Sequence, residues 1–176
     1  MVAADRGTTL ADSTFKMDAD VARAFDVAAA VLDPEIPVLT LADLGVMRGA
    51  CRRGGKIVVS ITPTYTGCPA TAAIQLAVEI ALAEAGLADA RVETVLSPSW
   101  TTDDITADGR AKLKAYGIAP PGKGSPAQLF ADEQVECPQC GSTQTVRISE
   151  FGSTACKALW RCESCREPFD YFKCHR

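Results

Sequence analysis

Two short cysteine pairs, Cys137-Pro-Gln-Cys140 and Cys162-Glu-Ser-Cys165, lie 21 residues apart in a chain of 176 residues. A CxxC turn brings two sulfurs to one side of an ion. Two such knuckles complete the tetrahedral thiolate shell that zinc takes, with Zn–S near ~2.3 Å. Six of the eight cysteines follow Val135, a composition shift that marks a separate metal-binding region. Roughly forty residues bury too little apolar surface to fold without a metal or disulfides. The expectation is one structural zinc per chain on Cys137, Cys140, Cys162 and Cys165. The redox alternative is a rubredoxin-like iron centre or an iron-sulfur cluster, for which Cys156, Cys174 and His175 lie nearby in sequence. Residues 1–16 lack the basic start and apolar middle of a signal peptide, so the cytoplasm, where thiols stay reduced, is the expected compartment.

The second chemical motif is Thr64-Tyr-Thr-Gly-Cys68-Pro69. It puts Cys68 at the N-cap of a helix, where unpaired N–H groups and the positive end of the dipole favour a thiolate, hence a nucleophile or a soft-metal ligand. The plain alternative is a cysteine that caps the helix or fills a gap. Asp33-Pro34-Glu35 forms a constrained loop whose acids are either solvated turn residues or partners of Cys68. Cys51 reads as an incidental thiol. His175 is the only histidine, so a thiol enzyme built on Cys68 would lack the base that usually activates it.

These groups need a scaffold. Val21, Phe25, Ala28, Ala29 and Leu32 form an apolar stripe of helical period, predicting a helix over Asp18 to Leu32 that stops at Asp33-Pro34. Leu44 to Cys51 and Lys56 to Thr62 read as a hairpin turning at Arg53-Gly54-Gly55, with Ile57, Val59 and Ile61 on one face. Pro69 opens a second helix, to Ala85, with Ile74, Val78 and Leu82 in its stripe and Gly86 closing it. Arg91 to Leu96 is a third strand and Ala107 to Tyr116 a third helix. The fold class is therefore α/β (α+β): an α-β-β-α-β-α domain with a mixed three- or four-stranded sheet over residues 18–119. A tail over 1–17 precedes it. A linker over 120–134 and a four-cysteine zinc ribbon over 135–176 follow.

A formal net charge of −4 argues against nucleic acid as a partner, and so does a ribbon region with six basic against five acidic residues. No run of about 20 apolar residues is present to span a membrane. Docking to protein is the expected use of the ribbon. Homo-oligomerisation stays open.

At Asp33-Pro34-Glu35, Asp43-Leu44-Gly45 and Thr64-Tyr-Thr-Gly-Cys68-Pro69 the sequence resembles the iron-sulfur assembly domain family that includes SufT. The likeness runs from Val21 to about Gly117. The Pro98-Ser-Trp100 run, Phe151-Gly-Ser-Thr-Ala-Cys156 and Glu167-Pro-Phe-Asp-Tyr-Phe resemble one branch of that family, the branch tied to the phenylacetyl-CoA epoxidase of aerobic phenylacetate breakdown. The resemblance implies a reactive Cys68 that works with Asp33, Glu35 and Thr64 on transient iron or an iron-sulfur cluster. It implies an accessory maturation factor rather than a catalyst. The clients would be the epoxidase proteins, above all the reductase that carries an iron-sulfur cluster. A structural or electron-transfer component of the oxygenase is the competing expectation.

Overall fold

The computed structural model describes residues 18–122 and 134–173. The N-terminal tail, most of the linker, Cys174 and His175 lie outside the described residues.

Asp18 starts the first helix by accepting the N–H of Asp20, and α1 runs Ala19–Ala29. It ends three residues before the predicted Leu32. Val31 N–H reaches the Ala28 carbonyl and Leu41 N–H the Val31 carbonyl, so the chain has already left the helix for an extended bridge between Leu32 and Thr40. Leu32 is consequently 52% exposed, and the helix instead buries Ala24 and Ala28, small residues that let it lie close to the sheet. The next element, α2 (Leu41–Leu44), interrupts the segment read as the start of a strand. Thr40 and Asp43 cap it reciprocally, side chain to backbone, and Gly45 closes it at φ 71°. A Cβ on Gly45 would come within 2.1 Å of the Asp104 carbonyl oxygen, so only glycine fits there.

Strands β1 (Met47–Arg53) and β2 (Lys56–Ile61) pair antiparallel across Gly54-Gly55. Both glycines have positive φ, as a two-residue hairpin loop of right-handed twist requires. Helix α3 (Ala70–Glu84) then buries Ala70, Ile74, Val78 and Leu82 at a strict four-residue interval. It returns the chain so that β3 (Arg91–Thr94) pairs parallel with β2, giving a mixed three-stranded sheet in the order β1-β2-β3. After a 3-10 turn at Thr102–Asp104, α4 (Ala107–Ala115) packs on α2.

The short strand β4 (Ile118–Ala119) leaves this unit and pairs parallel with β7 (Pro168–Phe172) of the second sheet. That sheet is completed by β5 (Thr145–Ser149) and β6 (Lys157–Cys162), in the order β4-β7-β6-β5. Its own core is small: Trp160 meets Tyr171 edge-on at 6.0 Å, alongside Phe169, Val135 and the buried Cys137 and Cys162. Phe172 and Cys156 point the other way and belong to the first unit's core. There Phe172 meets Trp100 edge-on at 6.1 Å. Trp100 is itself fixed by donating its indole N–H to the Leu44 carbonyl at 2.8 Å. Among the described residues no helix is long and apolar enough to cross a membrane.

Candidate functional site

The first centre is built by two tight turns at one end of the second sheet. In one, Gly141 N–H donates to the Cys137 carbonyl and Cys137 N–H to the Ser142 carbonyl, both at 2.9 Å. In the other, Cys162 N–H donates to the Glu167 carbonyl at 2.9 Å and Cys165 N–H points at the Cys162 sulfur at 3.5 Å. The turns face each other, with Ser142 and Ser164 hydroxyls 2.8 Å apart. All four sulfurs fall within 4.8 Å of one another. Cys137 and Cys165 Sγ are 3.8 Å apart, and Cys140 and Cys162 Sγ 3.5 Å. A sulfur tetrahedron around an ion at ~2.3 Å has edges of roughly 3.8 Å, so the donor set fits a four-coordinate metal. Disulfides would need sulfurs about 2 Å apart. Backbone N–H groups from Cys165 and Ser164 hold the Cys162 thiol down to about 6, which makes it the readiest thiolate of the set. Backbone bonds at Ser142 and Glu167 lower Cys140 and Cys165, but burial and crowding against the neighbouring sulfurs outweigh them, raising Cys140 and pushing Cys165 up to about 12. A cation in the middle relieves that crowding.

The second centre is a cavity of about 20 Å³ at the start of α3, and Asp33, Glu35, Thr64, Cys68 and Cys156 all line it. Gly67, at φ 87°, turns the chain after β2, and Cys68 N–H donates to the Tyr65 carbonyl at 3.2 Å. Cys68 itself sits one residue before the cap. The N-cap is Pro69, no side chain caps the helix, and Cys68 contributes its carbonyl to Thr71 N–H at 3.2 Å. Its sulfur is therefore not used as a cap, contrary to that part of the sequence reading.

Asp33 is 5% exposed. One of its oxygens accepts the N–H groups of Glu35 and Ile36, each at 2.8 Å, which folds the Asp-Pro-Glu loop into a fixed turn. Glu35 is thereby aimed at the cavity, where its Oε2 lies 3.5 Å from the Cys156 sulfur. Cys156 also contacts the Thr154 hydroxyl at 3.0 Å. Burial, together with the Glu35 carboxylate, pushes the Cys156 thiol up to about 11. Tyr65 stands beside the same groups. Its phenol is raised by burial first, then by Cys68, Cys156 and Glu35.

The four cavity residues singled out from sequence thus share one site, and the four ribbon cysteines share another. Cys51 is exposed on the hairpin, away from both. Asp43 of the Asp-Leu-Gly motif is a scaffold residue. It accepts Lys112 Nζ at 2.6 Å and the Thr40 N–H and hydroxyl at 2.9 and 2.8 Å, and its carbonyl takes Thr106 N–H. Burial alone would raise its pKa, but the bonds from Lys112 and Thr40 outweigh burial and hold the carboxyl below its ordinary value. Sequence reasoning missed Cys156 as a cavity residue and Tyr65 as a neighbour of the cavity's charged groups. Tyr65 lies inside the Thr64-to-Pro69 motif, whereas Cys156 reaches the cavity only because the second sheet docks there.

The family model for the PaaD zinc beta ribbon domain matches residues 121–173. That for an iron-sulfur cluster assembly protein matches residues 23–96. A protein of Escherichia coli (strain K12), provisionally named as a subunit of 1,2-phenylacetyl-CoA epoxidase, is 52% identical over 142 residues, spanning 81% of this chain and 86% of its own. Two solved structures are more distant. A domain of unknown function, DUF59, from Bacillus anthracis has 22% identity and a TM-score of 0.49, covering 54% of this chain and 92% of its own. Rv1466 from Mycobacterium tuberculosis, described as associated with Fe-S complex assembly and repair, has 31% identity and a TM-score of 0.32, covering 64% of this chain and 98% of its own.

Proposed function

This chain belongs to the PaaD family of 1,2-phenylacetyl-CoA epoxidase subunits, and from that premise we propose that it is an accessory maturation factor of the epoxidase system. It assists assembly or repair of the iron-sulfur or iron cofactors of that system through Cys68. The observation that supports this most is the shared cavity. A cysteine not used for capping opens onto an enclosed space with Asp33, Glu35 and Thr64, separate from the four-cysteine centre. A soft ligand beside carboxylates suits the handling of iron or sulfur. The closed four-sulfur centre suits a resident ion instead, and zinc is the ion we assign to it. The ribbon that carries it is the surface for docking client proteins, of which the iron-sulfur reductase component is the first candidate.

Cys68→Ser tests this reading. The protein should accumulate in soluble form with its metal centre intact, while growth on phenylacetate as sole carbon source fails. Normal growth would remove the role given to Cys68. The competing role, an electron-transfer component, requires a redox metal on the ribbon cysteines. A colourless protein with one zinc per chain after anaerobic purification would exclude it, and a visible iron-sulfur or iron-thiolate spectrum would support it.

A further inference from the structure

Among the described residues the ribbon carries one cysteine outside its four-sulfur centre, and the neighbouring unit buries it. Cys156 directly precedes β6, is 6% exposed and belongs to the core of the α/β unit. Its carbonyl is fixed by Lys173 N–H at 3.0 Å. The next residue, Lys157, is also buried. It reaches the Glu35 carbonyl at 3.4 Å and the Ser153 hydroxyl at 2.9 Å with its ammonium. The start of β6 thus clamps the Asp-Pro-Glu loop by its backbone, while the Cys156 sulfur faces the Glu35 carboxylate across 3.5 Å.

A buried cysteine can be no more than a small apolar filler. Most of the cavity lining is aliphatic, yet the Cys156 sulfur meets a carboxylate and a threonine hydroxyl there, and Cys68 lines the same cavity. The cavity's size also limits what it can hold. About 20 Å³ admits one water or one ion, not a preformed multi-atom cluster.

We propose that Cys68 and Cys156 are the two sulfur ligands, and Glu35 the oxygen ligand, of a single-ion site for a thiophilic divalent cation. The α/β unit supplies two ligands and the ribbon the third. This rests on the reading of Cys68 given above and deepens it by naming a second thiol. On entry of the ion both thiols lose their protons to solvent, Glu35 exchanges its contact with the Cys156 thiol for the metal, and no electrons move. Two thiolates and one carboxylate select a soft or borderline cation and leave a fourth position free. An open site of this kind can pass its ion on, whereas the closed four-sulfur centre retains one. Asp33 does not ligate in this scheme. Its bonds to the Glu35 and Ile36 N–H groups position the loop.

The probe is cobalt(II), titrated anaerobically into the zinc-loaded full chain, with zinc followed by elemental analysis and sulfur ligation read from thiolate-to-cobalt charge-transfer absorption. Wild-type protein should take up one cobalt while keeping its zinc. Cys68→Ser and Cys156→Ser should each lose the cobalt site yet retain zinc, and Glu35→Gln should bind about 10- to 100-fold more weakly. Cys51→Ser should behave as wild type. Cobalt binding by Cys156→Ser at wild-type affinity, with loss only in Cys68→Ser, would overturn the two-thiol site and leave the Cys68 reading standing. Retention in Cys68→Ser would overturn both, and no cobalt uptake by the wild type would overturn the site. Peptide-mapped alkylation of the wild type gives an answer independent of variant folding. Bound cobalt should protect Cys68 and Cys156 together, and protection of Cys68 alone would contradict the proposal.

Discussion

The two sheets of this molecule are held by different means. The α/β unit buries a full set of aliphatic side chains from its four helices, strand β2 and the loops between them, among them Leu39, Leu41, Ile61, Val78 and Leu82, each almost completely enclosed. The ribbon has a handful of buried residues, and two of those are cysteines of the four-sulfur centre. Apolar burial at about 25 cal/mol per Å² can sustain the first but not the second. The contrast shows why cysteine means opposite things in the two halves. In the ribbon the sulfurs replace a core, so they are packed in pairs and committed to one ion. In the α/β unit Cys68 lies half-buried at the edge of an aliphatic core, and its sulfur does not cap α3.

The largest effect should come from breaking the ribbon's substitute core. Metal binding is worth on the order of 10–16 kcal/mol to such small modules and is inseparable from their folding. Chelation, or Cys162→Ser, should therefore unfold residues 134–173, read as lost zinc and rapid proteolysis there, while the helical signal of the α/β unit persists. Cys156→Ser should keep its zinc. Equal zinc loss from Cys156→Ser and Cys137→Ser would break the four-ligand assignment.

A smaller and opposite effect is expected from the other half. Leu82 on α3 is buried to 1%, and Leu82→Ala should destabilise the α/β unit by about 2–5 kcal/mol through lost burial and a cavity. Chemical denaturation should show this as a lower midpoint, with one zinc per chain still bound below the transition. Coupled loss of zinc would mean that the two cores are not energetically separable.

How much of this is legible before the fold is known follows the same division. The knuckles, the Gly54-Gly55 hairpin and the Ile74-Val78-Leu82 stripe are local patterns, and each appears within a residue or two of its expected place. Leu44 reads as strand but ends α2, because the Thr40–Asp43 capping pair and Gly45 decide that turn and Asp43 is fixed in addition by Lys112 from a distant helix. The two residues of β4 have no pattern of their own and become a strand only against β7. Cys156 is visible as a thiol but not as part of the cavity, since nothing near it in sequence encodes where the ribbon docks.

The smallest expected effect concerns Asp43, whose folded pKa is lowered. A lowered carboxyl contributes stability that is fully present above the unfolded value near ~4 and is lost as the pH falls through the folded value. Thermal unfolding midpoints should therefore fall more steeply below about pH 4 in the wild type than in Asp43→Asn. Parallel curves would show that the Lys112 and Thr40 bonds add nothing in the ionised state.

The central claim is that Cys68 acts on the cofactors of client proteins and not on its own fold, and cofactor occupancy in those clients tests it most directly. The epoxidase proteins would be isolated from phenylacetate-induced wild-type and Cys68→Ser cells, and iron and acid-labile sulfide measured per reductase chain. The account predicts soluble, zinc-loaded Cys68→Ser protein alongside a reductase depleted of its cluster. A fully loaded reductase from those cells would contradict it.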